Sequence, residues 1–210
     1  MFAKNTIHWP RRCLVVIDDF LSDPLEARRW ALEQTYYTPD NALGWRSERS
    51  RVFPGTMPAL RRYFGKQTTV LPSRIYGPNG TVYPSFDRGR RAEMPGVHYD
   101  EPEDSYLVLI YLTPNLPADC GTSLWEHKRT GLTRAPVRAD EKRLEATCDD
   151  LADELKRDTV RRSRWTEIDR VGYRFNRAVV FPAYSLHSAT NHHGSTLRNG
   201  RLYQLVCIRV

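Results

Sequence analysis

Apolar runs rich in β-branched and aromatic residues, bounded by turn-forming residues, recur along this chain. Cys13–Ile17, Tyr106–Leu112 and Arg177–Pro182 are of this kind, and each is predicted to form a strand. The segments 73–76 and 81–86 flank an Asn-Gly turn and are predicted to form a hairpin. The pattern therefore predicts a mainly β structure.

Helical patterns interrupt the strands in three places. Asp23, followed by Pro24, caps a predicted helix that runs to about Gln34, and a short helix is predicted from about Met57 to Lys66. The third segment, 140–164, is charged and is predicted to form one inserted amphipathic helix. Its apolar residues stand at helical spacing, namely Leu144, Cys148, Leu151 and Leu155. This insert is equally compatible with packing on the exterior and with a lid over a substrate opening.

The length of 210 residues suits one domain, with residues 1–70 as an N-terminal strand with supporting helices and 71–210 as the β core. Four widely spaced cysteines contain no Cys-x-x-Cys motif, so neither a zinc ribbon nor a disulfide framework is indicated. We expect reduced thiols in a cytoplasmic protein, because neither a signal core nor a membrane-spanning stretch is evident.

The net charge of +7 is dispersed over the chain, apart from local groups such as Arg88, Arg90 and Arg91. A nucleic-acid interface would require a basic stripe with interleaved aromatics or a known binding motif, and neither is recognisable here. The charge favours an acidic substrate or partner over a nucleic acid. Nothing in the sequence indicates the oligomeric state.

The candidate chemistry lies in His98-Tyr99-Asp100, in the later His187, and in Arg201 at the start of the last apolar run. Side chains two apart on an extended strand share a face, so His98 and Asp100 can bind one cation while Tyr99 faces away. Two imidazoles and one carboxylate on one face of a divalent ion leave open positions, as is typical of non-haem Fe(II) oxygenases.

From about Tyr83 to Val210 the chain resembles the Fe(II)/2-oxoglutarate-dependent oxygenases, in particular their small prolyl-hydroxylase-like branch. His98-Tyr-Asp100 resembles the His-x-Asp motif of that family, and Ile110–Thr113 its next strand. Cys120–Trp125 is similar to the family's Gly-Gly-x-x-x-Phe strand with one glycine replaced. The segment 175–187 resembles the strand pair that carries the distal histidine, and Arg201-Leu-Tyr203 the strand that carries the arginine.

This resemblance implies a double-stranded β-helix (jelly-roll, cupin-like) core with flanking helices. It implies that His98, Asp100 and His187 bind Fe(II) and that Arg201 binds the far carboxylate of 2-oxoglutarate through two parallel hydrogen bonds. Tyr111 is the candidate second partner of that carboxylate. With O2 as oxidant, the implied reaction hydroxylates an unactivated C–H of an amino acid, peptide or small natural product and releases succinate and CO2.

Asp100 also bears on the outcome of the reaction. Related halogenases have a small residue in place of the carboxylate, so its presence here favours hydroxylation, or desaturation, over halogenation. Two alternatives of another kind remain. They are a cupin-like metal-binding module without redox activity and a zinc-dependent hydrolase or isomerase on the same barrel, and the latter leaves Arg201 unexplained.

Several residues have competing interpretations. His192 and His193 are expected at the surface, because they lie in a polar loop, and His127 is not counted among the ligands. Arg198 could replace Arg201, but it lies in a loop, and a strand positions a ligand more rigidly. Trp125, Tyr83 and Tyr111 could each fill the core instead of lining a pocket.

Overall fold

The computed structural model describes residues 14–38, 45–48, 51–72, 79–100 and 104–210. Within these ranges the protein is mainly β, with four α-helices and antiparallel strand pairs. The strands are β1 (Val15–Ile17), β2 (Tyr36–Tyr37), β3 (Arg46–Ser47), β4 (Thr69–Val70), β5 (Val82–Ser85), β6 (Tyr106–Tyr111), β7 (Thr122–His127), β8 (Trp165–Val171), β9 (Ala178–Pro182), β10 (His187–Ala189) and β11 (Arg201–Arg209). The helices are α1 (Pro24–Leu32), α2 (Thr56–Phe64), α3 (Arg138–Leu144) and α4 (Cys148–Asp158).

A six-stranded sheet forms the larger part of the structure. Its order is β1-β9-β6-β11-β4, and β5 also pairs with β11. Strand β6 is apolar at every position because both faces are covered. Val108 and Ile110 pack with the side chains of α1 and α2, whereas Leu107, Leu109 and Tyr111 face the opposite way.

A smaller sheet of three strands, in the order β10-β7-β8, covers the second face. Between the sheets lies a buried cluster to which β6, β9 and β11 contribute from one side and Cys120 and Val171 from the other. The outer face of the small sheet is covered in turn by a third cluster, which includes Trp125, Leu155 and Trp165. The layers are therefore helices, large sheet, small sheet and the inserted helices.

The first two predicted helices are confirmed. Asp23 caps α1 by accepting a hydrogen bond from the backbone N–H of Glu26 at 3.0 Å, and Pro24 occupies the first helical turn. Helix α2 ends at Gly65, whose φ of +92° is a conformation that glycine adopts without a steric penalty.

The predicted single helix over 140–164 is wrong. The segment forms α3, then α4, then a 3₁₀ turn at Arg162–Arg164. Helix α3 ends at Glu145 in the left-handed region, with φ of +52°. A new helix then begins at Thr147, whose hydroxyl accepts from the N–H of Asp150 at 3.1 Å while the Asp150 carboxylate accepts from the N–H of Thr147 at 3.2 Å.

Several other predictions concern segments of the β pattern. The first strand and the strand within 81–86 are found as β1 and β5, and β5 pairs with β11. Cys13 and the other hairpin arm, 73–76, lie outside the described residues.

The described cysteines, Cys120, Cys148 and Cys207, are free thiols. Among the described helices, none has the length and apolar character needed to cross a bilayer.

Asn176 connects the N-terminal segment to the large sheet. Its amide oxygen accepts from the N–H of Leu21 at 2.9 Å, and its amide nitrogen donates to the Leu21 carbonyl at 3.0 Å. Asn176 is buried and has φ of +62°. Both backbone groups of Leu21 therefore depend on one side chain.

Asn176→Ala should lower the free energy of unfolding by about 2–4 kcal/mol, because it leaves two buried backbone groups without partners. Asn115→Ala is the matched control, since Asn115 is exposed and also has a positive φ of +59°. That control should lose only about 1–2 kcal/mol, from the backbone term alone. Urea unfolding followed by circular dichroism measures both, and equal losses would contradict the assignment.

Candidate metal centre

The segment that carries His98 and Asp100 is extended, but it is not a strand of either sheet. His98 forms an isolated antiparallel bridge with His187, so the prediction of a regular strand here is corrected. The N–H of His98 donates to the His187 carbonyl at 3.0 Å, and the N–H of His187 donates to the His98 carbonyl at 2.8 Å. Residues paired in this way project to the same side, and the two imidazole centroids lie 4.4 Å apart.

Asp100 completes a group of three. Its backbone N–H donates to the Ala183 carbonyl at 2.9 Å, which holds it beside the bridge. One ligand atom from each of His98, Asp100 and His187 lies within 4.8 Å of the other two. His187 Nε2 and Asp100 Oδ2 are 3.7 Å apart, and atoms bound at about 2.1 Å to one ion lie no more than about 4.2 Å apart. The structure thus brings the three predicted residues together.

Tyr99 lies between the two candidate ligands of the segment, His98 and Asp100, and faces the other way, as predicted. It packs against the cluster on the outer face of the small sheet, which includes Val97 and Leu186. The alternation of an extended chain therefore places the metal-binding atoms on one side and an apolar anchor on the other.

Both histidines are oriented by a backbone carbonyl two residues earlier. His98 Nδ1 lies 2.9 Å from the Gly96 oxygen, and His187 Nδ1 lies 2.9 Å from the Ser185 oxygen. A carbonyl oxygen only accepts, so each Nδ1 carries the proton and each Nε2 presents a lone pair. Burial, followed by the nearby His98, lowers the pKa of His187 well below 6.5. His187 is therefore neutral, the form that binds a metal.

Arg201 lies close to this group, in the interior at the start of β11. It is only 2% exposed, and its charge contributes to the lowered pKa of His187. Its Nε donates to the Cys120 carbonyl at 2.7 Å and its Nη2 to the Gly121 carbonyl at 3.2 Å. In the part of the chain that the structure describes, no carboxylate forms an ion pair with Arg201. A buried charge that has only neutral partners favours an anionic ligand.

Aromatic residues and one hydroxyl surround the guanidinium. It lies 4.4 Å from the Tyr203 ring centroid and 5.4 Å from that of Tyr111. Thr122 Oγ1 lies 3.4 Å from Arg201 Nη2 and 2.7 Å from the Tyr111 hydroxyl. Burial raises the pKa of Tyr111, so its hydroxyl keeps its proton. The predicted pair Arg201 and Tyr111 is adjacent, and Thr122, which the sequence did not single out, joins them.

Cys120, which stands where the motif of the oxygenase family has its first glycine, lies in a regular 3₁₀ turn. Cys120 is buried and ends a 3₁₀ turn, and the glycine that is retained, Gly121, has no room for a side chain. A Cβ there would meet the Val171 carbonyl oxygen at 1.8 Å. This close approach fixes the two carbonyls that accept from Arg201.

Trp125 belongs to the core rather than to the pocket. A β-bulge falls between Leu124 and Trp125, and Leu124 is the residue paired with His187. The Trp125 indole donates to Ser188 Oγ at 3.0 Å on the other face of the small sheet. Tyr83, by contrast, stacks on Tyr203 with centroids 5.4 Å apart, and burial, with a smaller contribution from Asp100, raises its pKa. Tyr83 therefore lies on the side of the metal-binding group.

The remaining histidines have defined partners. His192 and His193 are half-buried, and neither belongs to a metal-binding group of the described residues. His192 Nδ1 lies 2.8 Å from the Glu93 carbonyl. Fully buried His127 contacts Thr130 Oγ1 at 3.0 Å and Asp158 Oδ2 at 3.1 Å. It groups with Glu154 and Asp158, but arginines pair with both acids, so this cluster already has its cations.

Residues 91–203 match the model of a family described as a family of unknown function, DUF6445. No curated protein matches the sequence. Among solved structures, the chain is similar to SnoN, described as a non-heme alpha ketoglutarate dependent epimerase from nogalamycin biosynthesis. That match has 13% identity and a TM-score of 0.52, and it covers 95% of this chain and 79% of that one.

The descriptions of two other similar structures also name 2-oxoglutarate (alpha ketoglutarate). SnoK, a non-heme alpha ketoglutarate dependent carbocyclase, matches with 15% identity, a TM-score of 0.53 and coverage of 95% and 80%. HygX from Streptomyces hygroscopicus, solved with nickel, 2-oxoglutarate and hygromycin B bound, matches with 12% identity, a TM-score of 0.50 and coverage of 95% and 83%. At these identities the similarity shows a shared fold.

The environment of His192 generates a prediction about pH. Burial, followed by the charge of Arg201, lowers the pKa of His192 to about 4. Between pH 6.5 and 4 the unfolded chain therefore takes up a proton that the folded chain does not, and stability falls as the pH falls. His192→Asn should remove about 1–3 kcal/mol of this acid-dependent loss, after allowance for partial solvent access.

Urea unfolding of the metal-free protein, repeated from pH 8 to pH 4, measures this difference. Above pH 7 the curves of wild type and His192→Asn should run parallel, because the imidazole is neutral in both states there. Parallel curves over the whole range would show that His192 titrates normally in the folded protein.

Proposed function

The chain belongs to the DUF6445 family of unknown function, and we propose that it is an Fe(II)- and 2-oxoglutarate-dependent dioxygenase with a jelly-roll core. The observation that carries this proposal is the buried guanidinium of Arg201, which has no carboxylate partner among the described residues and influences the pKa of His187. A dicarboxylic acid can bind a metal at one end and a guanidinium at the other. A protein that only bound a metal would need the metal-binding residues but not the guanidinium, so Arg201 distinguishes the two functions.

Three residues would hold the iron, namely His98, Asp100 and His187. The donor set fits Fe(II), because two neutral imidazoles and one carboxylate form the facial arrangement that non-haem iron enzymes use. When bound, the iron, together with 2-oxoglutarate and O2, supplies the oxidising chemistry that yields succinate and CO2. The chain's own contribution is orientation, since the Gly96 and Ser185 carbonyls hold each Nε2 toward the same point.

Arg201 and Tyr111 would bind the far carboxylate of 2-oxoglutarate. Arg201 Nε and Nη2 are engaged by the Cys120 and Gly121 carbonyls, which fixes the plane of the guanidinium. The Tyr111 hydroxyl, protonated and held by Thr122, is the second donor. Desolvation of both groups strengthens their bonds to an anion.

The proposed reaction is hydroxylation of an unactivated C–H of a small natural product, amino acid or peptide. The bound hygromycin B in HygX supports a small-molecule substrate, and Asp100 supports hydroxylation over halogenation. SnoN and SnoK are described as an epimerase and a carbocyclase, so the fold serves other outcomes of the same oxidant. Neither a zinc hydrolase nor a metal-binding module gives Arg201 an anionic partner, so neither accounts for its burial.

The first test is spectroscopic. Anaerobic addition of Fe(II) and 2-oxoglutarate to the purified protein should produce the weak visible charge-transfer band of an iron chelate. His98→Ala should abolish the band and the formation of succinate, because it removes one of three ligands. His193→Ala should retain both, since His193 lies outside the metal-binding group. A wild-type protein that gives neither band nor succinate would refute the proposed function.

The second test concerns the co-substrate. Arg201→Lys keeps the positive charge but loses the planar fork, so the dissociation constant of 2-oxoglutarate should rise by about 10- to 100-fold while metal binding persists. Arg198→Ala serves as the control, because Arg198 is exposed and is the competing arginine in the sequence. Titration of the visible band with 2-oxoglutarate measures both variants. A larger effect at Arg198 would transfer the carboxylate site to the loop.

A further inference from the structure

We propose that Thr159, directly after α4, is a positioning residue for the metal centre and that it acts through Gly96 on His98. This inference rests on the proposed function, since it assigns a role in holding the iron. In this role the inserted helices support the segments that carry the histidines and do not form a lid over the substrate opening. Three sets of contacts carry it.

The first set joins Thr159 to the segment before His98. The N–H of Val97 donates to the Thr159 carbonyl at 2.9 Å. A Cβ added to Gly96 would meet the Thr159 Cγ2 methyl at 2.6 Å, closer than real Cβ atoms approach. Thr159 therefore holds the backbone of both residues, and the Gly96 carbonyl is the group that orients His98 Nδ1, at 2.9 Å.

The second set holds Thr159 itself. The carboxylate of the preceding residue, Asp158, lies 3.1 Å from His127 Nε2, and its backbone carbonyl accepts from the Trp165 indole at 2.8 Å. Arg161 and Arg164 also pair with that carboxylate. His127 and Trp165 lie on paired strands β7 and β8. The buried His127 and Asp158 pair thus anchors the end of α4 to the small sheet, which gives a role to a cluster that the metal site does not use.

The third set is apolar. Val97 and Leu186 directly precede His98 and His187, and both belong to one buried cluster with Leu155 of α4 and Trp165. The residue directly before each of the two histidines therefore packs in the same apolar cluster. The insert packs against the rear of the two ligand segments, which favours the exterior-packing interpretation over a lid.

These contacts should determine the orientation of the His98 imidazole. Groups that hold a metal ligand through its second nitrogen typically change metal affinity by about 10- to 100-fold when they are lost. Because the Thr159 methyl closes the space at Gly96, a side chain added there would displace the backbone that carries the Gly96 carbonyl. A change at this contact should therefore be transmitted to metal affinity although neither residue touches the ion.

The test is a double-mutant cycle on the full chain, with Ni(II) binding to the metal-free protein measured by calorimetry. Gly96→Ala should weaken Ni(II) binding by about 10- to 100-fold, because the new methyl displaces the Gly96 carbonyl. Thr159→Ser removes the opposing methyl and keeps the backbone hydrogen bond from Val97, so alone it should weaken Ni(II) binding by less than Gly96→Ala does. The double variant should return to within about threefold of wild type, which is the coupling that a direct contact predicts.

The outcomes separate the two proposals. Loss of Ni(II) binding in wild type would overturn the proposed function and this inference together. Normal binding in wild type with unchanged binding in Gly96→Ala, or with no recovery in the double variant, would overturn the positioning role and leave the proposed function standing. Recovery in the double variant excludes a general loss of folding as the cause.

If Gly96→Ala does not fold, a second pair of variants carries the test. Leu155→Ala removes a side chain of the cluster that backs both histidines, and Leu151→Ala removes an equally buried leucine of α4 that lies outside this cluster. Both create a cavity of similar size, so general destabilisation should be alike. Ni(II) affinity should fall at least about fivefold further in Leu155→Ala than in Leu151→Ala, and equal affinities would overturn the inference.

Discussion

The two backbone hydrogen bonds between His98 and His187 are the constraint on which the candidate site depends. They join a segment without regular strand structure to β10, and β10 is itself paired with β7. Residues opposed in such a bridge project together, so the bridge determines that both imidazoles face the same space. The contacts described around it, from the Gly96 and Ser185 carbonyls to the packing of Val97 and Leu186, keep this bridge in one geometry.

Charge explains why such a site would take a dianion. In the proposed site, a ferrous ion, the Asp100 carboxylate and the Arg201 guanidinium would together carry two positive charges, and imidazoles that bind a metal add none. Unpaired charge on a buried side chain such as Arg201 is costly, and a ligand with two carboxylates would reduce the sum to zero. Because Arg201 is held by neutral carbonyls, its charge is not compensated before the ligand arrives. This balance of charge is why we propose that the candidate metal-binding residues and the arginine form one binding site.

The side chains of the candidate site could be proposed from the sequence, because ligand chemistry is a property of residue type. It also located β6, β9 and β11, whose apolar runs are long enough to be read directly. It did not reveal that His98 lies outside a regular strand, nor that His192 is half-buried, since both depend on how distant segments meet. The break between α3 and α4 was visible in Thr147 and Asp150, but the continuing apolar spacing of Leu144, Cys148 and Leu151 concealed it.

The groups that orient the ligands are hidden from sequence for a different reason. The Gly96, Ser185, Cys120 and Gly121 carbonyls act through the backbone, so any residue type could supply them, and only the path of the chain selects these four. The position of the insert 140–164 is also determined by the path of the chain. It lies within the connection from β7 to β8, whose two ends meet where His127 pairs with Trp165, so a long connection can be accommodated there at a modest entropic cost. Because its far end is anchored at Asp158, the proposed role of Thr159 would let residues of the insert influence the orientation of His98 while the candidate ligands stay the same.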